Sequence, residues 1–127
     1  MDANGVHVLK PDSAQNTMVV FFHRKCEHCQ YQLKQFNDHF NEFVGVRIFL
    51  FTTEIKFLNE KGINNWPILA QSQNINWGIV NGKRFKEKFG STSTPNLYFF
   101  DKTGILFNKI RGEVRLEKIF SILKNEF

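Results

Sequence analysis

Met18-Val19-Val20-Phe21-Phe22-His23-Arg24-Lys25-Cys26-Glu27-His28-Cys29 is the stretch that decides the fold. Its apolar run from Met18 to Phe22 predicts a strand buried on both faces, and the run leads directly to two cysteines separated by two residues. Beyond them, Cys26, Cys29, Leu33, Phe36, Phe40 and Phe43 recur at spacings of three and four, which predicts a helix from about Glu27 to Phe43. A cysteine at such a strand-to-helix junction lies over the unpaired N–H groups of a helix N-terminus, whose partial positive charge favours thiolate over thiol. Cys26, first on the stripe, is expected at the exposed tip, and Cys29 one turn deeper against Leu33. The chain has no other cysteine, so the pair is a candidate redox centre rather than part of a disulfide framework, and cysteine usage leaves the compartment open.

Working outward, Val6-His7-Val8-Leu9 is a short strand candidate, followed by a polar turn from Pro11 to Asn16. Gly45 is expected to end the long helix, Val46 to Phe51 to form the next strand, and about Glu54 to Lys61 a short helix closed by Gly62. The stretch from Ile63 to Asn81 has no clear period, with Trp66-Pro67-Ile68-Leu69 read as a short extended piece. Lys83 to Lys88, with Phe85 and Phe89 four apart, predicts an amphipathic helix with a solvated basic face. Asn96 to Phe100 and Ile105 to Ile110, joined by the turn Asp101-Lys102-Thr103-Gly104, predict an antiparallel hairpin. A last helix is expected from about Arg115, with Leu116, Ile119, Phe120, Leu123 and Phe127 on one face.

The 127 residues suit one domain spanning 1–127, able to bury roughly two-thirds of the unfolded surface without staples. The net charge of +5 comes from seventeen Lys and Arg scattered along the chain, which argues against a nucleic-acid-binding stripe. Met1-Asp2-Ala3-Asn4-Gly5 carries no basic segment followed by an apolar one, so neither a signal peptide nor a membrane anchor is expected there. No run approaches the roughly 18 apolar residues of a spanning helix, and direct membrane insertion is not expected.

Strand-helix-strand followed by strand-strand-helix, with Cys-x-x-Cys opening the first long helix, resembles the thioredoxin fold. Two segments carry the resemblance: Phe21 to Cys29, like that superfamily's active-site strand and loop, and Phe89 to Tyr98, like its segment ending in a cis-proline that faces the cysteines. The turn Asp101 to Gly104 and the later Gly112 are similar to the last hairpin and following loop of the TlpA/ResA-like branch of bacterial thiol-disulfide oxidoreductases. The resemblance implies an α/β fold with a central mixed β-sheet flanked by helices, and no cofactor. It implies a monomer that exchanges disulfides with protein thiols and disulfides and is served by an upstream redox partner. It also implies a bacterial periplasmic or other extracytoplasmic setting, while cysteine usage in the chain does not exclude the cytoplasm. Three residues depart from the family pattern. Lys25 replaces the tryptophan common before the first cysteine, Val20 the buried aspartate of thioredoxins proper, and Gln32 the glutamate frequent in ResA-like members.

Exchange requires an anionic attacking sulfur and a nearby resolving thiol, roles that fall to Cys26 and Cys29 respectively. Arg24, Lys25 and the helix terminus are expected to lower the pKa of Cys26, with His28 adding hydrogen bonding or charge and Glu27 opposing them. With neither acid in place, proton relay for Cys29 is left to water or His28. Thr94 and Pro95, with a cis bond between them by the resemblance, are expected to hold an extended substrate strand by its main chain. Two other classes of function stay open: a zinc or copper carrier using His23, Cys26, His28 and Cys29, and a protein-binding module with a weakly active Cys-x-x-Cys. Against the carrier, consecutive His28 and Cys29 point about 100° apart on a helix, and the expected metal set is none.

Overall fold

Strand β1, Asn16–Phe21, is buried along its whole length, as a run with apolar side chains toward both faces requires. In the computed structural model, which describes residues 15–54, 66–72, 75–91 and 93–124, β1 is the middle of a five-stranded mixed sheet. Its remaining strands are β2 (Val46–Thr52), β3 (Ile75–Ile79), β4 (Asn96–Phe100) and β5 (Leu106–Arg111). The order is β3-β2-β1-β4-β5; β1, β2 and β3 run parallel, while β4 is antiparallel to both β1 and β5.

Alternation along the strands splits the core into two layers. Met18, Val20, Ile48, Leu50, Leu97 and Phe99 face helices α1 (Glu27–Asp38) and α4 (Leu116–Lys124), where they meet Leu33, Phe36, Ile119 and Ile122. Val19, Phe21, Phe49, Phe51, Tyr98 and Phe100 face helix α3 (Gly82–Phe89), whose Phe85 and Phe89 stack at 4.3 Å between centroids. The many phenylalanines are therefore mainly core, and α3 has the amphipathic form expected of Lys83 to Lys88. The hairpin is also as expected: Asp101 Oδ1 accepts from the Thr103 and Ile105 N–H groups at 2.8 and 3.0 Å, and Gly104 supplies φ 88°.

Two expectations are corrected, and a stretch left without assignment is resolved. The first long helix stops at Asp38 rather than near Phe43, and a single 3₁₀ turn, Phe40–Glu42, carries the stripe onward so that Phe43 still packs on Phe36 and Phe120. Trp66-Pro67-Ile68-Leu69 is not extended: Pro67–Gln71 is helix α2, with proline in its first turn. Its Ile68 and Leu69 N–H groups are capped from outside by Asn37 Oδ1 of α1, at 2.9 and 3.2 Å. The period-free stretch also holds β3, whose Gly78 leaves room for the Phe51 ring; a Cβ there would lie 2.9 Å from Phe51 Cε1. The expected strand from Val6 to Leu9, most of the helix from Glu54 to Lys61 and the end of the chain at Phe127 fall outside the described residues.

This topology brings five chain segments to one end of the sheet. The parallel strands β1, β2 and β3 all leave there, toward Cys26, Glu54 and Gly82 respectively. The antiparallel pairs Phe21↔Asn96 and Asn96↔Arg111 bring the start of β4 and the end of β5 to the same edge, and with them Thr94-Pro95 and Gly112 to Val114.

Candidate active site

Cys26 is the N-cap residue of α1, in extended conformation (φ −86°, ψ 115°), and its Sγ accepts from the Cys29 N–H at 3.2 Å. A sulfur thus takes the capping place usually filled by Ser, Thr, Asp or Asn oxygen. Cys26 is half-buried, whereas Cys29 is 1% exposed, packed in the core beside Leu33, with its Sγ accepting from the His23 N–H at 3.4 Å. Both are free thiols.

The two environments drive the pair apart. Burial alone would push the Cys26 thiol up, but hydrogen bonds from the Cys29 thiol, the Cys29 N–H and the His28 N–H outweigh it, and its pKa lies below the ordinary 9.0. Burial, with the neighbouring Cys26, pushes Cys29 up to about 12. An accessible sulfur poised to ionise therefore sits one helical turn from one that stays protonated.

Thr94 reaches the site from the opposite side, and its carbonyl accepts from Cys26 Sγ at 3.7 Å, the long distance normal for sulfur. The Thr94–Pro95 peptide is cis, and Pro95 is buried.

The residues named as tuners are placed differently from one another. Lys25 is exposed beside Cys26. Arg24 is engaged by Glu54, whose Oε1 accepts the Arg24 main-chain N–H at 2.7 Å while Oε2 lies 3.4 Å from Nε. The His28 imidazole turns to Glu113, Nδ1 to Oε1 2.8 Å, so His28 bears on Cys26 through its main chain rather than its ring. His23 Nδ1 lies 3.4 Å from Glu54 Oε1. Among the described residues no group of three or more His, Cys, Asp or Glu converges as a metal site, since the two histidines of the Cys/His set face carboxylates.

Sequence reasoning missed three contributors. Glu54 ties the loop before Cys26 to the end of β2. Gln32, noted only as a replacement, is fully buried and clamps the Val114 main chain, donating to its carbonyl at 3.0 Å and accepting from its N–H at 2.9 Å. The segment Gly112-Glu113-Val114 is then a strap: the Gly112 N–H donates to the Pro95 carbonyl at 2.7 Å, Glu113 holds His28, and Val114 is held by Gln32. It binds the cis-proline segment and α1 into one frame. The signal available in the sequence was Gly112 alone, whose φ of 86° suits glycine.

The model of the thioredoxin-like domain family matches residues 6–126. No curated protein matches the sequence. Among solved structures, StoA from Bacillus subtilis is similar at TM-score 0.64 and 15% identity, over 87% of this chain and 84% of that one. The exposed lipoprotein thioredoxin of Streptococcus pneumoniae gives 0.68 and 19%, over 90% and 87%. A thiol:disulfide interchange protein of the thioredoxin family from Chlorobium tepidum gives 0.67 and 17%, over 93% and 81%. At these identities the likeness is one of fold, and it extends over most of each chain. With a family match running from one end to nearly the other, the chain belongs to the thioredoxin-like domain family.

Proposed function

We propose that this chain is a thiol-disulfide oxidoreductase of the TlpA/ResA-like kind, acting on protein substrates through Cys26 and Cys29. The observation that carries the reading is the asymmetry of the pair: a half-exposed sulfur that caps the Cys29 N–H and is lowered in pKa, beside a buried one raised to about 12. In the reducing direction the Cys26 thiolate attacks one sulfur of a substrate disulfide, forming a mixed disulfide and expelling the other sulfur as a thiolate that takes up a proton. Cys29 then gives up its proton to water and attacks Cys26 Sγ, releasing the second substrate thiolate. The protein loses two electrons, the substrate gains them, and the opposite direction retraces the steps. Thr94 and Pro95 serve as the edge along which the substrate main chain lies. An upstream redox partner resets the pair, and the protein works as a monomer. Likeness to an exposed lipoprotein thioredoxin favours an extracytoplasmic setting. Among the described residues no helix is long and apolar enough to cross a membrane.

The carrier reading has less support, because His23 and His28 are turned to Glu54 and Glu113. The test is equilibration of the pair against glutathione buffers with metal chelated, together with trapping. A reversible two-electron couple is expected, with Cys29→Ser accumulating a mixed disulfide and Cys26→Ser inert. A potential of about −120 mV identifies a disulfide donor and one of about −270 mV a reductase. Failure to form the Cys26–Cys29 disulfide at any poise overturns the proposal.

A further inference from the structure

Thr94 and His23, which flank the two sulfurs, also line a cavity of about 410 Å³ with Phe21, Thr53, Gly82, Lys83 and Lys86. It is open to solvent, and among the described residues no carboxylate lines it. Glu54, which reaches His23, is committed to the Arg24 main chain and guanidinium. Lys83 and Lys86 are exposed, and no carboxylate among the described residues pairs with either.

Local stability does not account for the position of Lys83. It stands in the first turn of α3, where the helix dipole disfavours a cation, and no acidic residue shares that turn. Asn81 caps the Arg84 N–H at 3.0 Å, leaving the N–H groups of Gly82 and Lys83 without an intrahelical partner at the same positive end. Gly82 keeps the wall low, since a Cβ there would touch Thr53 Cγ2 at 3.4 Å. Two lysines and the positive end of a helix thus border an open cavity that begins at Thr94, the residue whose carbonyl meets Cys26 Sγ.

We propose that the cavity is a specificity subsite for an acidic side chain of the substrate polypeptide, so that the protein prefers disulfides whose cysteines have Asp or Glu close by in sequence. The inference rests on the thiol-disulfide exchange proposed above. A strand laid along Thr94 places its cysteine at Cys26, and side chains near that cysteine then fall within reach of Lys83 and Lys86. Exposed ion pairs act mainly on encounter and orientation, so the signature is kinetic and sensitive to salt.

The test uses three disulfide-linked dimers of one short peptide, with Glu, Gln or Lys at both positions two residues from its cysteine. Second-order exchange rates with the reduced protein are expected to run Glu > Gln > Lys, with a Glu/Gln ratio of about five at low salt that shrinks as screening rises. Lys83→Ala/Lys86→Ala is expected to bring the ratio to about one, and Lys83→Glu/Lys86→Glu to invert it. Each variant carries its own reference in the Gln peptide, so partial loss of fold does not imitate the result. Lys109→Ala/Lys118→Ala removes the same charge from surfaces that do not line the cavity, and is expected to keep the wild-type ratio. A wild-type ratio near one, or a ratio that falls equally in both alanine pairs, overturns the subsite while exchange itself stands. Absence of exchange with all three peptides overturns the underlying activity and the subsite with it.

Discussion

Iodoacetamide offered to the reduced protein at pH 7 is expected to alkylate Cys26 at least about thirtyfold faster than Cys29. With Cys29 at about 12, its thiolate fraction at pH 7 is about 10⁻⁵. Cys26, below 9.0, is ionised to at least about 10⁻², a ratio of about a thousand. Thiolates of higher pKa are intrinsically more nucleophilic, by a Brønsted slope of about 0.4–0.5, so three units return about fifteen- to thirtyfold to Cys29. The net is about thirty- to sixtyfold before access is counted, and the 1% exposure of Cys29 widens it. Limited alkylation across a pH series, quenched and read by peptide mass mapping, gives both rates in one protein; Cys29→Ser shows how far the Cys26 midpoint depends on the Cys29 thiol. Because the Cys26 pKa is lowered, its rate should level off at a midpoint below pH 9 and fall about tenfold per unit only beneath that midpoint. Equal labelling of the two sulfurs, or a Cys26 midpoint at or above 9, would refute the claim that hydrogen bonds from the Cys29 thiol and from main-chain N–H groups at the start of α1 outweigh burial.

Two further substitutions probe the frame. Gln32→Leu removes both bonds to Val114 and leaves that residue's N–H and carbonyl without them, so a loss of about 2–3 kcal/mol is expected in urea unfolding. A loss under about 0.5 kcal/mol would mean that the strap is held by Pro95 and Glu113 alone. Gly78→Ala drives a methyl to within 2.9 Å of the buried Phe51 ring and should cost about 1–2 kcal/mol. The same substitution in a Phe51→Leu background should cost less, and equal costs in the two backgrounds would place the strain elsewhere.

Much of this protein is legible in local pattern. The buried strand from Met18 to Phe22, the inward stripe through Cys29, Leu33 and Phe36, and the hairpin turn at Asp101 are each specified by neighbours in sequence, because periodicity and turn chemistry act over a few residues. The order of Cys26 and Cys29 in depth follows from the same helical geometry.

What pattern could not supply was decided at long range. Helix α2 takes its N-terminal cap from Asn37, roughly thirty residues earlier, and β3 carries a glycine because a phenylalanine of β2 occupies the space. The tuning of Cys26 depends on where side chains turn: Arg24 goes to Glu54 and His28 to Glu113, 30 and 85 positions away. Gln32 reads in sequence as a lost acid and is in the fold a clamp on Val114, 82 positions on. Nothing in the sequence marks Lys83 as a neighbour of Thr94. Sequence alone determined that a cysteine pair would open the first long helix, since that needs only a strand, a spacing and a helical period. The company the pair keeps was decided by the tertiary structure, because a mixed sheet brings five distant chain segments to one edge and hydrogen bonds form between whatever meets there.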